Sequence, residues 1–168
     1  GKVSTLVDGA DFYSNPRLSP DGQQLAWLAW NHPNMPWDGT QLFVAPIANA
    51  GTLGAARTVA GGVDESIFQP EWSGDGTLYF VSDRTNWGNL YADRAGLVEP
   101  VLPMDAEFGV PQWVFGMTTY GFASDGTIVA RFTSQGKWSI VRINPRDRTH
   151  EILRLPYTNV SSIHVAGE

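Results

Sequence analysis

The chain has 168 residues, with 18 glycines, 11 prolines, no cysteine and a formal net charge of −6. The missing cysteines exclude disulfides, thiol nucleophiles and thiolate metal sites, and the acidic balance would repel a phosphate backbone, which excludes nucleic acid as a partner. No apolar run reaches the roughly 18 residues of a membrane-spanning helix, and the opening Gly1-Lys2-Val3-Ser4-Thr5 has no apolar targeting stretch, so a cytoplasmic protein off the membrane is expected.

Glycine and proline are spread so evenly that few windows could propagate a helical period. An all-β chain is the expectation. In chain order, residues 3–7 read as an orphan strand, the fourth strand of a blade whose first three are missing. Three copies of one pattern follow, each built on an Asp-Gly turn: Ser19-Pro20-Asp21-Gly22, Ser73-Gly74-Asp75-Gly76 and Ser124-Asp125-Gly126, spaced 54 and then 50 residues apart. Each turn leads into an alternating apolar run, Leu25 to Trp30, Leu78 to Val81 and Ile128 to Phe132, the signal of a hairpin entering a strand. Two of the turns share an upstream segment, Asn15-Pro16-Arg17-Leu18-Ser19 and Gln69-Pro70-Glu71-Trp72-Ser73. Third strands are expected at Gln41 to Ala45, Asn89 to Ala92 and Trp138 to Arg142, and fourth strands at Ala56 to Ala60, Val98 to Leu102 and Glu151 to Leu155.

Four short strands recurring every 50 or so residues is the pattern of a β-propeller blade. The expected blades are about 12–60, 67–102 and 112–155, followed by a second orphan strand at 161–166. The fold predicted is a single partial propeller domain over 1–168, with about three four-stranded antiparallel blades, open rather than closed. A β-sandwich needs no fixed-period repeat of four elements in one order. Because closed propellers need four to eight blades, the chain reads as a segment of a longer protein, able to form a homo-oligomer through its open blade faces.

Specific residues carry a family resemblance. Trp30-Asn31-His32-Pro33-Asn34-Met35-Pro36-Trp37-Asp38-Gly39, Phe68-Gln69-Pro70-Glu71-Trp72-Ser73, Phe80-Val81-Ser82-Asp83-Arg84-Thr85-Asn86-Trp87-Gly88-Asn89-Leu90-Tyr91 and Met104-Asp105-Ala106-Glu107-Phe108-Gly109-Val110-Pro111-Gln112-Trp113 resemble the propeller of bacterial prolyl oligopeptidase family serine peptidases. The closest branch is acylaminoacyl-peptidase or dipeptidyl-aminopeptidase-like, and the Asp-Gly and Ser-Asp-Arg motifs are shared with TolB-type propellers generally. The resemblance implies a non-catalytic propeller that gates peptide access to a C-terminal α/β-hydrolase domain. No Gly-x-Ser-x-Gly nucleophile elbow occurs in this chain, so no catalytic residue and no activity of the chain alone are expected. The alternative is a TolB-like module that binds a protein partner and carries no enzyme; a glycoside-active propeller ranks last, because most carboxylates fall in turns.

Three regions are weighed as sites. The Asn31 to Thr40 loop is longer than its counterparts, and Trp37 and Asp38 within it are candidate substrate contacts. His32 with Asp38 lacks a third ligand, so neither a metal nor a cofactor is expected. The second region is an insertion: Val101 to Asp125 spans 24 residues, against 14 from Val7 to Asp21 and 16 from Val59 to Asp75. It could precede or follow the first strand of the third blade, since both Pro111-Gln112-Trp113 and Tyr120-Gly121-Phe122 fit that strand. In related dipeptidyl peptidases acidic propeller residues grip the substrate's amino terminus, which makes Glu107, with Phe108 and Trp113 beside it, the leading ligand contacts. The third region, Asp83-Arg84 with Asn86, Trp87 and Asn89, reads as structural, its side chains bonding backbone amides; Trp27, Trp72 and Trp138 read as packing between blades.

Overall fold

The computed structural model describes residues 3–48 and 51–166. Its twelve strands are β1 Phe12–Leu18, β2 Gln24–Trp30, β3 Gln41–Pro46, β4 Arg57–Gly61, β5 Ile67–Trp72, β6 Leu78–Ser82, β7 Asn89–Arg94, β8 Leu97–Pro100, β9 Tyr120–Phe122, β10 Ile128–Ser134, β11 Lys137–Ile143 and β12 His150–Leu153. They form three separate antiparallel sheets in the orders β1-β2-β3-β4, β5-β6-β7-β8 and β9-β10-β11-β12. This is the expected open arrangement of three four-stranded blades. No helix among the described residues is long and apolar enough to cross a membrane.

Strand alternation explains how the blades stack. β6 is buried on both faces: Leu78 and Phe80 join Ala26, Leu28, Leu42 and Val44 of blade 1 in one core, whereas Tyr79 and Val81 join Ile128, Ala130 and Phe132 of blade 3 in another. A period of two thus gives the middle blade two interfaces. β2 sends Trp27 and Ala29 away from blade 2 into a smaller cluster with Val7, Tyr13 and Phe43, so Trp27 stacks on Phe43 within its own blade. Trp72 does cross between blades, donating its indole N–H to the Arg17 carbonyl at 3.0 Å, and the Arg17 guanidinium meets Glu71 at 2.9 Å. Trp138 lies over the Arg131 guanidinium, 4.2 Å from it.

The Asp-Gly turns share one design. Ser19 and Ser73 each donate a hydroxyl hydrogen bond to the aspartate two residues on, both at 2.6 Å, and Asp21, Asp75 and Asp125 accept the N–H groups of Gln23, Thr77 and Thr127. These bonds favour the ionised carboxylate. The Ser19 hydroxyl holds Asp21 below its ordinary range, the Ser73 hydroxyl does so for Asp75, and the Thr127 amide for Asp125. Asp147 is lowered in the same way by Thr149. A carboxyl whose folded pKa is depressed stabilises the fold above its unfolded pKa, and that contribution is lost as pH falls through the folded value. Burial raises Asp83, and its effect has the opposite sign. Four lowered groups against one raised predict a melting temperature that is flat near neutrality and falls below about pH 4, with a shallower fall in Asp75→Asn; a melting temperature that rose on acidification would contradict this.

Three boundaries differ from the sequence reading. Residues 3–7 and 161–166 form no strand, because a strand needs a neighbouring ladder and none is present beside either segment among the described residues. The 161–166 segment instead lies along the start of blade 3, where Thr118 and Ile163 exchange two hydrogen bonds. The third blade begins at Tyr120 and not near 112. Gln112 is drawn off to blade 1, donating from Nε2 to the Ser14 hydroxyl at 3.1 Å, so the insertion precedes the blade's first strand.

Candidate functional site

The insertion is anchored at its start by Asn89, whose side chain is buried. Its amide accepts the Met104 N–H at 2.7 Å and donates to the Met104 carbonyl at 2.9 Å. From there the chain runs extended beside β10, where Glu107 and Thr133 exchange both backbone hydrogen bonds at 2.9 Å. Extended backbone points successive side chains to opposite sides. Ala106 and Phe108 therefore enter the core between blades 2 and 3, both fully buried, while Glu107 turns outward. Phe108, expected as a ligand contact, is a core residue against Phe132, with ring centroids 5.5 Å apart.

Glu107 faces a cavity of about 630 Å³. Its Oε2 accepts the Gly88 N–H at 2.9 Å, and a Cβ at Gly88 would meet that oxygen at 2.7 Å, so a side chain at residue 88 would push the Glu107 carboxylate aside. Trp37, Asp64, Asp83 and Trp138 contribute further walls. The lining holds three carboxylates and no lysine or arginine, a setting that favours a cation or an ammonium over an anion. Burial pushes the Asp83 carboxyl up, and one of its oxygens accepts the Ser66 N–H at 2.8 Å.

The Asn31 to Thr40 loop forms the rim, and it is pinned. Asn34 donates to the Val63 carbonyl at 2.8 Å, and the Pro36 carbonyl accepts from the Thr40 and Ser66 hydroxyls. Asp38 accepts the Met35 N–H at 2.9 Å; it closes its own loop and does not line the cavity. Trp37 reaches across to the insertion, its ring 4.2 Å from that of Trp113. Trp113 is 71% exposed. Trp37 lines the cavity, and Trp113 packs on it from outside the lining. Asp64 and Ser66 were not singled out from the sequence and Trp138 was read only as packing between blades, because they come from a connector and a strand that only the blade packing brings together. No group of three or more potential metal ligands occurs among the described residues.

No family model and no curated protein matches the chain. Solved structures do match. A puromycin hydrolase is 35% identical with a TM-score of 0.87, over 95% of this chain and 24% of its own. A puromycin-hydrolyzing peptidase of Mycobacterium tuberculosis is 35% identical with a TM-score of 0.89, over 98% of this chain and 25% of its own. TolB from Acinetobacter baumannii is 16% identical with a TM-score of 0.56, over 82% of this chain and 31% of its own, a likeness of fold alone. The chain spans about a quarter of the puromycin-hydrolysing relatives it matches. A prolyl endopeptidase, 16% identical with a TM-score of 0.61 over 84% of this chain and 19% of its own, shares the fold, so the chain is a TolB-type β-propeller segment like the propellers of prolyl oligopeptidase family peptidases.

Proposed function

We propose that this chain is the non-catalytic propeller portion of a prolyl oligopeptidase family serine peptidase, which positions and filters peptides for a C-terminal α/β-hydrolase domain. The observation that carries this reading is 35% identity across nearly the whole chain to propeller regions of puromycin-hydrolysing enzymes. The cavity supports it: Glu107 supplies a carboxylate, and Trp37 with Trp113 supplies flat apolar surface for a peptide. The Glu107 Oε1, which has no partner among the described residues, is free to accept from an ammonium. A TolB-like protein-binding module with no enzyme remains the alternative, supported by fold likeness alone.

The test uses the chain itself. A short peptide with a free amino terminus is titrated while tryptophan fluorescence is followed, beside the same peptide N-acetylated. The free amine is expected to bind about tenfold tighter, the equivalent of one charge-assisted hydrogen bond of roughly 1.4 kcal/mol, and Glu107→Gln removes that preference. Equal binding of both peptides, or an unaffected preference in Glu107→Gln, would overturn the assignment of the site. Hydrolysis of an aminoacyl-nitroanilide by the purified chain would overturn the non-catalytic assignment.

A further inference from the structure

A second charged cluster lies on the outer rim, away from the acidic cavity. Arg94 ends β7, and Arg146 and Arg148 sit in the turn between β11 and β12. Together with Glu99 of β8 they line a small cavity of about 210 Å³ at the seam between blades 2 and 3. Glu99 Oε2 is shared, 3.3 Å from Arg148 and 3.8 Å from Arg94. The Arg146 guanidinium has no partner among the described residues; only the Arg146 backbone N–H is engaged, donating to Asn144 Oδ1. The lining itself holds three guanidiniums and one carboxylate; the Asp147 carboxylate in the same turn is engaged by Asn144 and Thr149, and Asp75 lies near enough to Arg94 to be lowered by its charge.

The backbone gives an independent reason to regard these arginines as held in place. Arg148 has φ of 60°, the left-handed region where glycine is the default residue of such turns. A glycine would be easier to accommodate there, and an arginine stands in its place. The turn is fixed around it: Asp147 accepts both the backbone N–H and the hydroxyl of Thr149, and the Arg148 N–H donates to the Asn144 carbonyl. Two guanidiniums are thereby carried by a turn whose conformation is set before any ligand arrives.

We propose that this seam binds a small phosphate-type oxyanion, held by Arg94, Arg146 and Arg148. Guanidinium forks present paired N–H donors to phosphate oxygens, and the Arg146 fork has no protein partner among the described residues to displace. Glu99 keeps the cluster ordered in the absence of the anion and competes with it when it arrives.

The chain is titrated with inorganic phosphate, with sodium chloride and acetate at matched ionic strength as controls, while the arginine Nε–Hε resonances are followed by NMR. Saturable shifts at Arg146 and Arg148 are expected with phosphate and not with the controls. Arg148→Gly, which relieves the left-handed strain, is expected to keep the fold and to bind phosphate at least tenfold more weakly. Should that variant fail to fold, Arg146→Ala supplies the same readout. Glu99→Gln is expected to bind phosphate several-fold tighter, an effect that a purely structural ion pair would not produce. Arg142→Ala, outside the cluster, leaves binding unchanged. Equal shifts with chloride, undiminished binding in both arginine variants, or no gain in Glu99→Gln would overturn the proposal.

Discussion

Replacing Gln69 by leucine is expected to lower stability by about 3–5 kcal/mol. Gln69 is 1% exposed and sits in β5 with φ of 47°, at the bulge that precedes Pro70. Its side-chain amide joins blade 2 to the first strand of blade 3. Nε2 donates to the Tyr120 carbonyl at 2.8 Å, and Oε1 accepts from the Thr119 N–H at 2.6 Å and the Thr119 hydroxyl at 3.2 Å. β9 has only three residues, so these bonds supply much of what fixes it against its neighbour. Leucine would leave the Thr119 N–H and the Tyr120 carbonyl buried without partners, at roughly 1–3 kcal/mol for each group. One bond at the junction survives, because the Tyr120 hydroxyl donates to the Gln69 backbone carbonyl at 2.7 Å; burial pushes that hydroxyl well above its ordinary pKa and keeps it a neutral donor. For a chain of this size the melting temperature should fall by roughly 8–16 °C. A loss below about 1 kcal/mol in urea unfolding would show that the amide is not what joins the blades.

The blades were legible because their signals are local. An Asp-Gly turn with a serine two positions before the aspartate specifies its own hydrogen bonds, and alternation on either side specifies the strands. What lies between blades was less legible. Gln69 stood inside a recognised motif, yet nothing local marks its amide as the link to Thr119 and Tyr120, about fifty residues on. The same limit applies to the cavity. The insertion could be counted, but its path could not, since Pro111-Gln112-Trp113 mimics a first strand and Gln112 in fact bonds Ser14. Glu107 and Phe108 were grouped as neighbours in sequence, whereas the extended pairing with Thr133 sends them to opposite sides. Arg131 shows the reverse case. Counted from the first residue that each second strand pairs with its first strand (Leu25, Leu78 and Ile128), its position matches Leu28 and Val81, which face the following blade, yet it is a buried cation with its Nε unpartnered. A repeat predicts the apolar residue there, and an exception to it is visible only against the packed structure.

Replacing Gly61 by alanine is expected to be the most damaging single-methyl change, costing about 4 kcal/mol or more of stability and displacing two walls of the cavity. Two effects combine. Gly61 has φ of 92°, and an L-residue in left-handed backbone costs about 1–2 kcal/mol. The added Cβ would also lie 1.9 Å from the Thr40 carbonyl oxygen and 2.9 Å from both Gln41 Cα and Ile67 Cγ1. The first two are backbone atoms that cannot rotate aside, so β3 and β4 must part where Gln41 pairs with Gly61, adding roughly 1–3 kcal/mol or more of overpacking. Thr40 is the hinge of the damage. Its N–H donates to the Glu65 carbonyl and its hydroxyl to the Pro36 carbonyl, so displacing it moves Trp37 on one wall of the cavity and Asp64 to Ser66 on another. Gly76→Ala separates the two contributions: φ there is 83°, but nothing lies within 4 Å of the added methyl. That variant should cost only the backbone share, about 1–2 kcal/mol, and should leave the cavity walls in place. If thermal unfolding gave equal losses for the two alanines, close approach of β3 and β4 would not be the reason that residue 61 is glycine.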